Sequence, residues 1–185
     1  MESYQGRALV ASPYLADGNF MRTVIYMIRH DAEGAMGLVL NRPMQTTIGE
    51  LLGELTESSI DNCEPVYFGG PVDGPVMMLQ ACCENDSDDH AEVLIACDQA
   101  RILEVINEDA PNQLGIRLFD GYSGWGPGQL ESEMSEGSWL VWDIRPDQLF
   151  HDPETLWQEA VVQIGRNVIA TGIGVDKLCG DPDEN

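Results

Sequence analysis

Short apolar runs separated by turn-forming residues dominate the first 40 residues of the chain. The runs at 7–11, 21–28 and 36–40 are rich in β-branched and large apolar residues, which favour strands. Clusters of Asp, Gly and Asn lie between them and favour tight turns. Three strands this close in sequence predict an antiparallel meander. The same pattern predicts further strands at 66–68, 76–80, 92–97, 116–119 and 138–143.

Four segments instead carry apolar residues three and four positions apart, which is the spacing of an amphipathic helix. Thr47 and Glu50 have the spacing of a capping box, in which each side chain accepts a hydrogen bond from the other residue's backbone N–H. Asp98 is placed to cap the second helix, and Asp152 with Pro153 opens the last. The predicted helices cover 47–57, 98–108, 127–137 and 152–165.

The stretch 117–141 is the most constrained part of the chain, because a strand, a Gly-rich turn, a short helix and a second strand follow with almost no spacer. Its glycines allow backbone conformations that other residues resist. We expect the helix to begin at Pro127, because proline fits the first helical position. Gln129 can reach back to cap this helix, and Gly137 can end it in the left-handed conformation.

Strands that are grouped ahead of several helices, instead of alternating strictly with them, predict an α+β fold. The length of 185 residues and the lack of an internal repeat or linker predict a single domain over 1–185. We expect an ordered core at about 6–165, a loose segment at 1–5 and a disordered tail at 181–185.

Four sequence blocks share a resemblance to known proteins. The central block is Gly121-Tyr122-Ser123-Gly124-Trp125, followed by Gly128-Gln129-Leu130-Glu131, then Glu133 and Trp139-Leu140. The other blocks are Ala11-Ser12-Pro13 with Phe20, Arg22 and Val24, the run from Gly34 to Pro43, and Gly69-Gly70-Pro71-Val72. Together these blocks resemble the AlgH/YqgE family of small bacterial proteins. The positions in these blocks that we assign to the scaffold are Gly34, Gly37, Pro43, Gly69, Gly70, Pro71, Gly121, Tyr122, Gly124, Trp125, Gly128 and Trp139.

The resemblance implies a mostly antiparallel, bifurcated sheet that forms an open-sided pseudo-barrel with about four helices packed outside. It implies no enzymatic activity that transfers residue by residue, and the family's name reflects a proposed role in transcriptional control of alginate production. Gln80 stands where the family's pattern leads us to expect a histidine. Any role of that histidine therefore does not transfer to this chain.

The charge balance narrows the possible partners. Nine Lys plus Arg face 32 Asp plus Glu, which gives a formal net charge of −23. This charge argues against nucleic-acid binding, because affinity for DNA rests on clustered cations that release counterions. No apolar stretch approaches the ~18 residues of a membrane span, and no basic-then-apolar leader opens the chain. We therefore expect a cytoplasmic protein with no membrane contact.

Catalytic, metal-binding and cofactor motifs are incomplete in this chain. Ser123 lies in a near miss for a nucleophile elbow, which needs a glycine where Trp125 stands. The five cysteines lack the paired spacing of a zinc site and are expected to stay reduced. The acidic run at 84–90 lacks the glycine and distal glutamate of a calcium loop. We predict no catalytic residue, no metal and no cofactor.

One polar group in the matching blocks is a candidate ligand site. It consists of Ser12, Arg22, Asn41, Arg42 and Gln129, which lie at predicted strand ends or at a helix start. If Arg22 and Arg42 converge, they form a positive island that suits a carboxylate or phosphate ligand, or the acidic side of a partner. The competing interpretation is that both arginines pair internally with the abundant carboxylates.

Three functions stay open on the sequence. The first is a non-catalytic regulatory or interaction protein of the cytoplasm with a protein partner, which the missing catalytic motifs favour. The second is a small-molecule binder or enzyme that acts on an anionic ligand through Arg22, Asn41, Arg42 and Gln129. The third is a regulator that binds DNA directly, which the net charge of −23 opposes.

Overall fold

Ten β-strands and four α-helices make up the computed structural model, which describes residues 3–56, 61–83, 91–107 and 113–173. The strands are β1 (Ala8–Ala11), β2 (Val24–Asp31), β3 (Gly34–Val39), β4 (Pro43–Thr47), β5 (Pro65–Phe68), β6 (Met77–Cys83), β7 (Ala91–Ala96), β8 (Gln113–Asp120), β9 (Ser123–Trp125) and β10 (Trp139–Trp142). The helices are α1 (Ile48–Thr56), α2 (Gln99–Asn107), α3 (Gln129–Ser135) and α4 (Leu156–Ile173), with a 3₁₀-helix at Pro146–Phe150.

The strands form two sheets of five strands each. Sheet A has the order β10-β1-β2-β3-β9, and sheet B has the order β4-β5-β8-β6-β7. Neighbouring strands are antiparallel except for β5 and β8, which run parallel. The predicted meander of β1, β2 and β3 is present, and the two sheets do not close into a barrel. The expected α+β fold, mostly antiparallel and open-sided with four helices, is therefore confirmed.

Side chains that alternate along the strands build three apolar cores in the described part of the chain. In β1, Ala8 and Val10 face a central core to which both sheets contribute. Leu9 and Ala11 alternate with them and face the outer side of sheet A, which α3 covers. The outer side of sheet B packs against α1 and α2. α4 joins the central core through Leu156, and this contact places the first turn of α4 beside both β1 and β2.

The predicted helix caps at Thr47 and Asp98 are present. The backbone N–H of Thr47 donates to Glu50 Oε2 at 2.8 Å, and the backbone N–H of Glu50 donates to Thr47 Oγ1 at 3.2 Å. Asp98 Oδ1 accepts a hydrogen bond from the backbone N–H of Arg101 at 3.0 Å. These side chains satisfy N–H groups that have no partner inside the helix.

Two strands contradict the prediction from the sequence pattern. Pro43 begins β4 and does not simply end the preceding strand, because β4 is an edge strand of sheet B, where a missing N–H is tolerated. The stretch Ser123–Trp125, predicted as a turn, is the short strand β9, which pairs with β3 at the edge of sheet A. The described chain therefore holds ten strands instead of about eight.

The bounds of two helices also differ from the predictions. α3 begins at Gln129, because Gly128 is the N-cap in the left-handed region at φ 74°, and Pro127 therefore lies before the helix. α4 begins at Leu156 and not at Asp152 and Pro153 as predicted, because residues 152–155 form a separate turn in which the carbonyl of Asp152 accepts from the N–H of Thr155 at 3.2 Å. At its other end α4 continues past Arg166 to Ile173, although the apolar pattern fades there. Each added residue extends an existing helix by one hydrogen bond, so α4 needs no new nucleus to continue. No helix in the described residues is both long and apolar enough to cross a membrane.

The predicted loose segment at the N-terminus is fixed over residues 3–5. Ser3 Oγ donates to the backbone carbonyl of His30 at 2.9 Å, and the backbone N–H of Tyr4 donates to His30 Nδ1 at 3.1 Å. The Tyr4 ring stacks on the imidazole with 5.2 Å between ring centroids. His30 is itself buried, and its Nε2 lies 3.0 Å from Glu131 Oε1 on α3. The segment is ordered because a buried side chain supplies its hydrogen-bond partner.

The Gly69-Gly70 pair lies where two backbone segments come too close for a side chain. Gly70 has φ 152°, and a Cβ at this position would overlap the backbone of Tyr122 and Ser123. A Cβ on Gly69 would overlap the carbonyl oxygen of Gly121. The segment after β5 and the segment after β8 therefore pack backbone to backbone, which only glycine permits.

Glu133 on α3 links two tryptophans that close the outer core of sheet A. Its Oε2 accepts hydrogen bonds from Trp125 Nε1 at 2.9 Å and from Trp139 Nε1 at 2.8 Å, and its Oε1 accepts from Gln129 Nε2 at 2.9 Å. The two indole rings meet edge to face at 6.0 Å. One carboxylate therefore satisfies both buried indole N–H groups and fixes α3 to β9 and β10.

Arg117 on β8 is a buried cation that joins sheet B to sheet A and to the 3₁₀-helix. Its side chain donates hydrogen bonds to the carbonyls of Leu40 at 2.9 Å, Leu149 at 2.7 Å and His151 at 2.6 Å. The guanidinium carbon lies 4.5 Å from the centroid of the Tyr67 ring. The residue is 5% exposed, and desolvation lowers the pKa of its guanidinium from the usual value. Arginine nevertheless stays charged at neutral pH.

We expect the substitution Arg117→Met to lower the free energy of unfolding by about 3 kcal/mol or more, because it leaves three carbonyls without their donor. Urea unfolding measures this change. Arg166→Met, at an exposed position on α4, is the matched control and should stay within about 0.5 kcal/mol. Equal stabilities of the two variants would contradict the role assigned to Arg117.

We expect Glu133→Ala to lower the free energy of unfolding by about 2 kcal/mol, because two buried indole N–H groups lose a charged acceptor. Unfolding followed by tryptophan fluorescence reports this loss, since the probe is part of the contact. Glu136→Ala removes the same charge from the end of the same helix and provides the control. A Glu133 variant as stable as this control would show that the indoles need no acceptor.

Candidate functional site

A pocket of about 490 Å³ opens where the β1–β2 loop, the end of β3 and the start of α4 meet. We call it the Arg22–Arg42 pocket. It is lined by Arg22, Asn41, Arg42, Pro43, Pro153, Glu154, Trp157 and Gln158. Three of the five predicted ligand residues therefore converge in one concave site.

Asn41 fixes the backbone around Arg22. Its Oδ1 accepts a hydrogen bond from the backbone N–H of Val24 at 2.9 Å, and its Nδ2 donates to the carbonyl of Arg22 at 2.9 Å. Arg22 has φ 56°, in the left-handed region that non-glycine residues seldom adopt. Such a conformation persists only when surrounding contacts hold it. Asn41 therefore acts on the site through the backbone that carries Arg22.

Arg42 is tied to the same loop. Its Nη2 donates to the backbone carbonyl of Met21 at 2.6 Å. Neither Arg22 nor Arg42 forms an ion pair with a carboxylate in the part of the chain that the structure describes. Within the described residues, the structure therefore does not support the competing interpretation, in which both arginines pair with internal carboxylates. Most N–H groups of both guanidinium groups remain available to a ligand.

Trp157 forms the aromatic wall of the pocket. Its Nε1 donates to the carbonyl of Ala11 at 2.8 Å, which anchors the first turn of α4 to β1. The guanidinium carbon of Arg22 lies 5.6 Å from the centroid of the Trp157 ring. The indole is half-buried. Together with two prolines, it gives the pocket an apolar surface beside the two cations.

Ser12 and Gln129 lie outside this pocket. Ser12 is buried, and its Oγ accepts a hydrogen bond from the backbone N–H of Tyr14 at 3.4 Å. Gln129 Oε1 accepts from the backbone N–H of Gly126 at 3.1 Å. Gln129 therefore reaches back as predicted, but Gly128 and not Gly126 is the N-cap of α3, so the contact does not cap the helix. Both side chains therefore serve local backbone structure.

The sequence pattern did not identify the pocket residues that lie on α4 and in the turn before it. Trp157 fits the apolar face predicted for the last helix, so its spacing indicates a core residue. Glu154 is an exposed polar residue in the turn before α4, and Gln158 is an exposed polar residue on α4; both are common features of any helix start. A tryptophan one turn after a predicted helix start was the available signal, because such a residue can lie at the edge of a core.

The other residues that the sequence pointed to are buried in the fold or lie outside the described residues. Ser123 is buried, and its Oγ donates to the carbonyl of Gly69 at 3.2 Å, so its hydroxyl lies away from solvent. Gln80, at the position of the expected histidine, is buried on β6 between Leu94 and Ile116 of the neighbouring strands. The described residues contain no group of three or more His, Cys, Asp or Glu side chains that could hold a metal ion. The acidic run at 84–90 lies outside the described residues.

Two smaller pockets differ in character from the Arg22–Arg42 pocket. One, of about 240 Å³, is mostly apolar and lies between α1 and α2, beside Leu52 and Ile102. The other, of about 360 Å³, includes Tyr122 and Arg29, and Arg29 has its own carboxylate partner in Asp31 at 3.5 Å. Only the Arg22–Arg42 pocket, of these three, combines two cations that have no carboxylate partner among the described residues.

Comparisons with known proteins agree with the fold and the motifs. The profile of a family described as AlgH-like matches residues 8–169. A UPF0301 protein of Streptomyces coelicolor is 36% identical over 170 residues, which cover 87% of this chain and 86% of the relative. A UPF0301 protein of Coxiella burnetii is 35% identical over 165 residues, which cover 86% and 88% of the two chains.

Two solved structures share the architecture. The solution structure of the AlgH protein from Pseudomonas aeruginosa superposes with a TM-score of 0.66 at 26% identity and covers 100% of both chains. The crystal structure of DIP2367 from Corynebacterium diphtheriae gives a TM-score of 0.67 at 22% identity over 86% of both chains, and this likeness concerns the fold alone. The family match and the identity to its relatives over most of their length show that this chain belongs to the AlgH-like family.

Proposed function

We propose that this protein is a non-catalytic regulatory protein of the cytoplasm that binds a small anionic ligand in the Arg22–Arg42 pocket. The observation that carries the proposal is the convergence of two arginines that have no carboxylate partner among the described residues. In a chain with 32 acidic and nine basic residues, internal pairing would be easy to achieve. Two cations kept apart from carboxylates in one pocket are therefore suited to an external anion.

Guanidinium geometry supports a ligand with carboxylate or phosphate oxygens. Each guanidinium presents parallel N–H groups that match two oxygens at once. The net charge of −23 repels anions at long range, so binding depends on these short contacts inside the pocket. Added salt screens the long-range repulsion much more than it weakens hydrogen bonds inside the pocket. A broad polyanion such as DNA gains little from a site with two cations.

The pocket is also held in shape before a ligand arrives. Asn41 fixes the Arg22 backbone, Met21 holds the Arg42 guanidinium, and Ala11 anchors the Trp157 indole. A site whose side chains are already ordered loses less conformational entropy when it binds. This order supports binding with little rearrangement of the chain.

The lining supports binding more than turnover. The described lining residues include no Ser, Thr, Cys or His, and Glu154 supplies the one carboxylate among them. General acid–base catalysis needs a donor and an acceptor placed on the reacting groups, and nucleophilic catalysis needs an activated nucleophile. The described lining residues offer neither an acid–base pair nor an activated nucleophile. Regulation would then follow from how an occupied pocket changes the surface that a protein partner contacts.

A second candidate function is direct recognition of an acidic segment of a protein partner. Arg22 is exposed and Arg42 half-buried, so both can be reached from solvent. An aspartate- or glutamate-rich segment offers the same carboxylate chemistry as a small ligand. Such a partner would extend beyond the pocket and contact its rim.

We expect Arg22→Gln and Arg42→Gln each to weaken anion binding about tenfold or more, because each removes charge-assisted hydrogen bonds. A thermal-shift screen with organic acids, sugar phosphates and nucleotides identifies the ligand, and calorimetry gives its affinity. A ligand at ~100 times its Kd adds about 2.7 kcal/mol of stability. Arg22→Gln is the cleaner variant, because its guanidinium makes no hydrogen bond within the described residues.

The matched control is Arg166→Gln, which removes one exposed positive charge from the same helix that carries Trp157. This variant should bind like the wild type. If no anion stabilises the wild type, or if all three variants weaken binding equally, the pocket is not an anion site. Binding of an acidic peptide with no effect of free anions would favour the second candidate function.

A further inference from the structure

Among the described residues, the Arg22–Arg42 pocket contains one negative charge besides its two cations. Glu154 lines the pocket from the turn just before α4. Its backbone N–H donates to Asp152 Oδ1 at 2.9 Å, which fixes the turn that carries it. Its side chain is exposed and forms no ion pair within the described residues. The pocket therefore has unpaired charges of both signs.

The two arginines and Glu154 do not pair with each other, although they line the same pocket. No guanidinium nitrogen of Arg22 or Arg42 lies within 4.0 Å of a carboxylate oxygen of Glu154. The contacts described above hold the arginines on the loop side, through Met21 and Asn41. Glu154 belongs to a different segment, the turn just before α4. A ligand that reaches both segments can contact both signs without displacing an internal ion pair.

The two arginines and Glu154 together favour some anionic ligands over others. A ligand with only negative groups gains from the guanidinium groups but places its charge near the Glu154 carboxylate, and like charges at close range repel. A ligand that also carries an ammonium group avoids this repulsion and gains a contact with Glu154. The indole of Trp157 and the rings of Pro43 and Pro153 can cover a short methylene chain between the two groups.

We infer that the ligand of the Arg22–Arg42 pocket is a small zwitterion, with a primary ammonium group for Glu154 and a carboxylate or phosphate group for the two arginines. This inference rests on the proposed function and assigns the ligand class of the same pocket. Two sources supply this chemistry, namely amino acids and aminoalkyl phosphates. Their anionic groups differ while the ammonium group is shared.

Calorimetric titration of paired compounds tests the inference. The amino acids glycine, β-alanine, 4-aminobutyrate and 5-aminovalerate are compared with acetate, propionate, butyrate and valerate, which lack the ammonium group. Phosphoethanolamine is compared with ethyl phosphate. We expect at least one amino compound to bind the wild type about fivefold more tightly than its partner, because Glu154 is a solvent-exposed partner and such ion pairs are modest. The tighter series identifies the anionic group.

Glu154→Gln should remove this preference while leaving the affinity for the compound without the ammonium group unchanged or higher. Arg22→Gln should weaken both members of a pair. Glu33→Gln, in the exposed turn between β2 and β3, removes the same negative charge far from the pocket and should preserve the preference. The comparison separates a direct contact of Glu154 from a general change in net charge.

The outcomes distinguish this inference from the proposed function. If anions bind and depend on Arg22 but amino compounds show no preference, the zwitterion inference is wrong and the anion site stands. A preference that survives in Glu154→Gln leads to the same conclusion. If neither member of any pair binds and the broader screen also finds no anion, both the inference and the proposed function fail.

Discussion

The buried guanidinium of Arg117 supports two of the segments that line the pocket. Its side chain donates to the carbonyls of Leu40 and His151, which lie one and two residues before the pocket residues Asn41 and Pro153. These two segments are more than 100 residues apart in the chain, and one side chain of sheet B sets their separation. Backbone carbonyls and aromatic faces contact the cation, and the Asp152 carboxylate also favours its charged form, against the effect of burial on its pKa.

Charges act at two distances in this protein, through the long-range field of the whole chain and through short contacts inside the pocket. Over the whole chain, 32 acidic residues against nine basic ones create a negative field that repels anions at long range. Inside the pocket, two arginines have no carboxylate partner among the described residues, and the carbonyl of Met21 and the indole of Trp157 contact them instead. Short-range hydrogen bonding can then select a ligand that the long-range field does not attract. A ligand with balanced charge meets the least resistance from this field, which agrees with the zwitterion inference.

The stretch 117–141, the most constrained part of the chain, builds the scaffold and does not line the Arg22–Arg42 pocket. Trp125 and Trp139 share the carboxylate of Glu133, and Gly70 lets two backbone segments touch. The Arg22–Arg42 pocket instead combines the blocks around Arg22 and Asn41 with the start of α4. The division is physical, because close backbone packing needs glycine and buried indoles need acceptors, whereas a ligand site needs polar groups left open to solvent.

The sequence by itself determined the features that depend on residues within a few positions of one another. The meander, the capping box of Thr47 and Glu50, and the contact of Gln129 with the backbone of Gly126 follow from local propensity and local hydrogen bonds. Only the tertiary structure decided that Pro43 begins an edge strand and that Trp157 stands beside Arg22. Those outcomes depend on contacts between residues distant in sequence, and such contacts leave no periodic pattern, because the partner of each residue is set by packing of the whole chain.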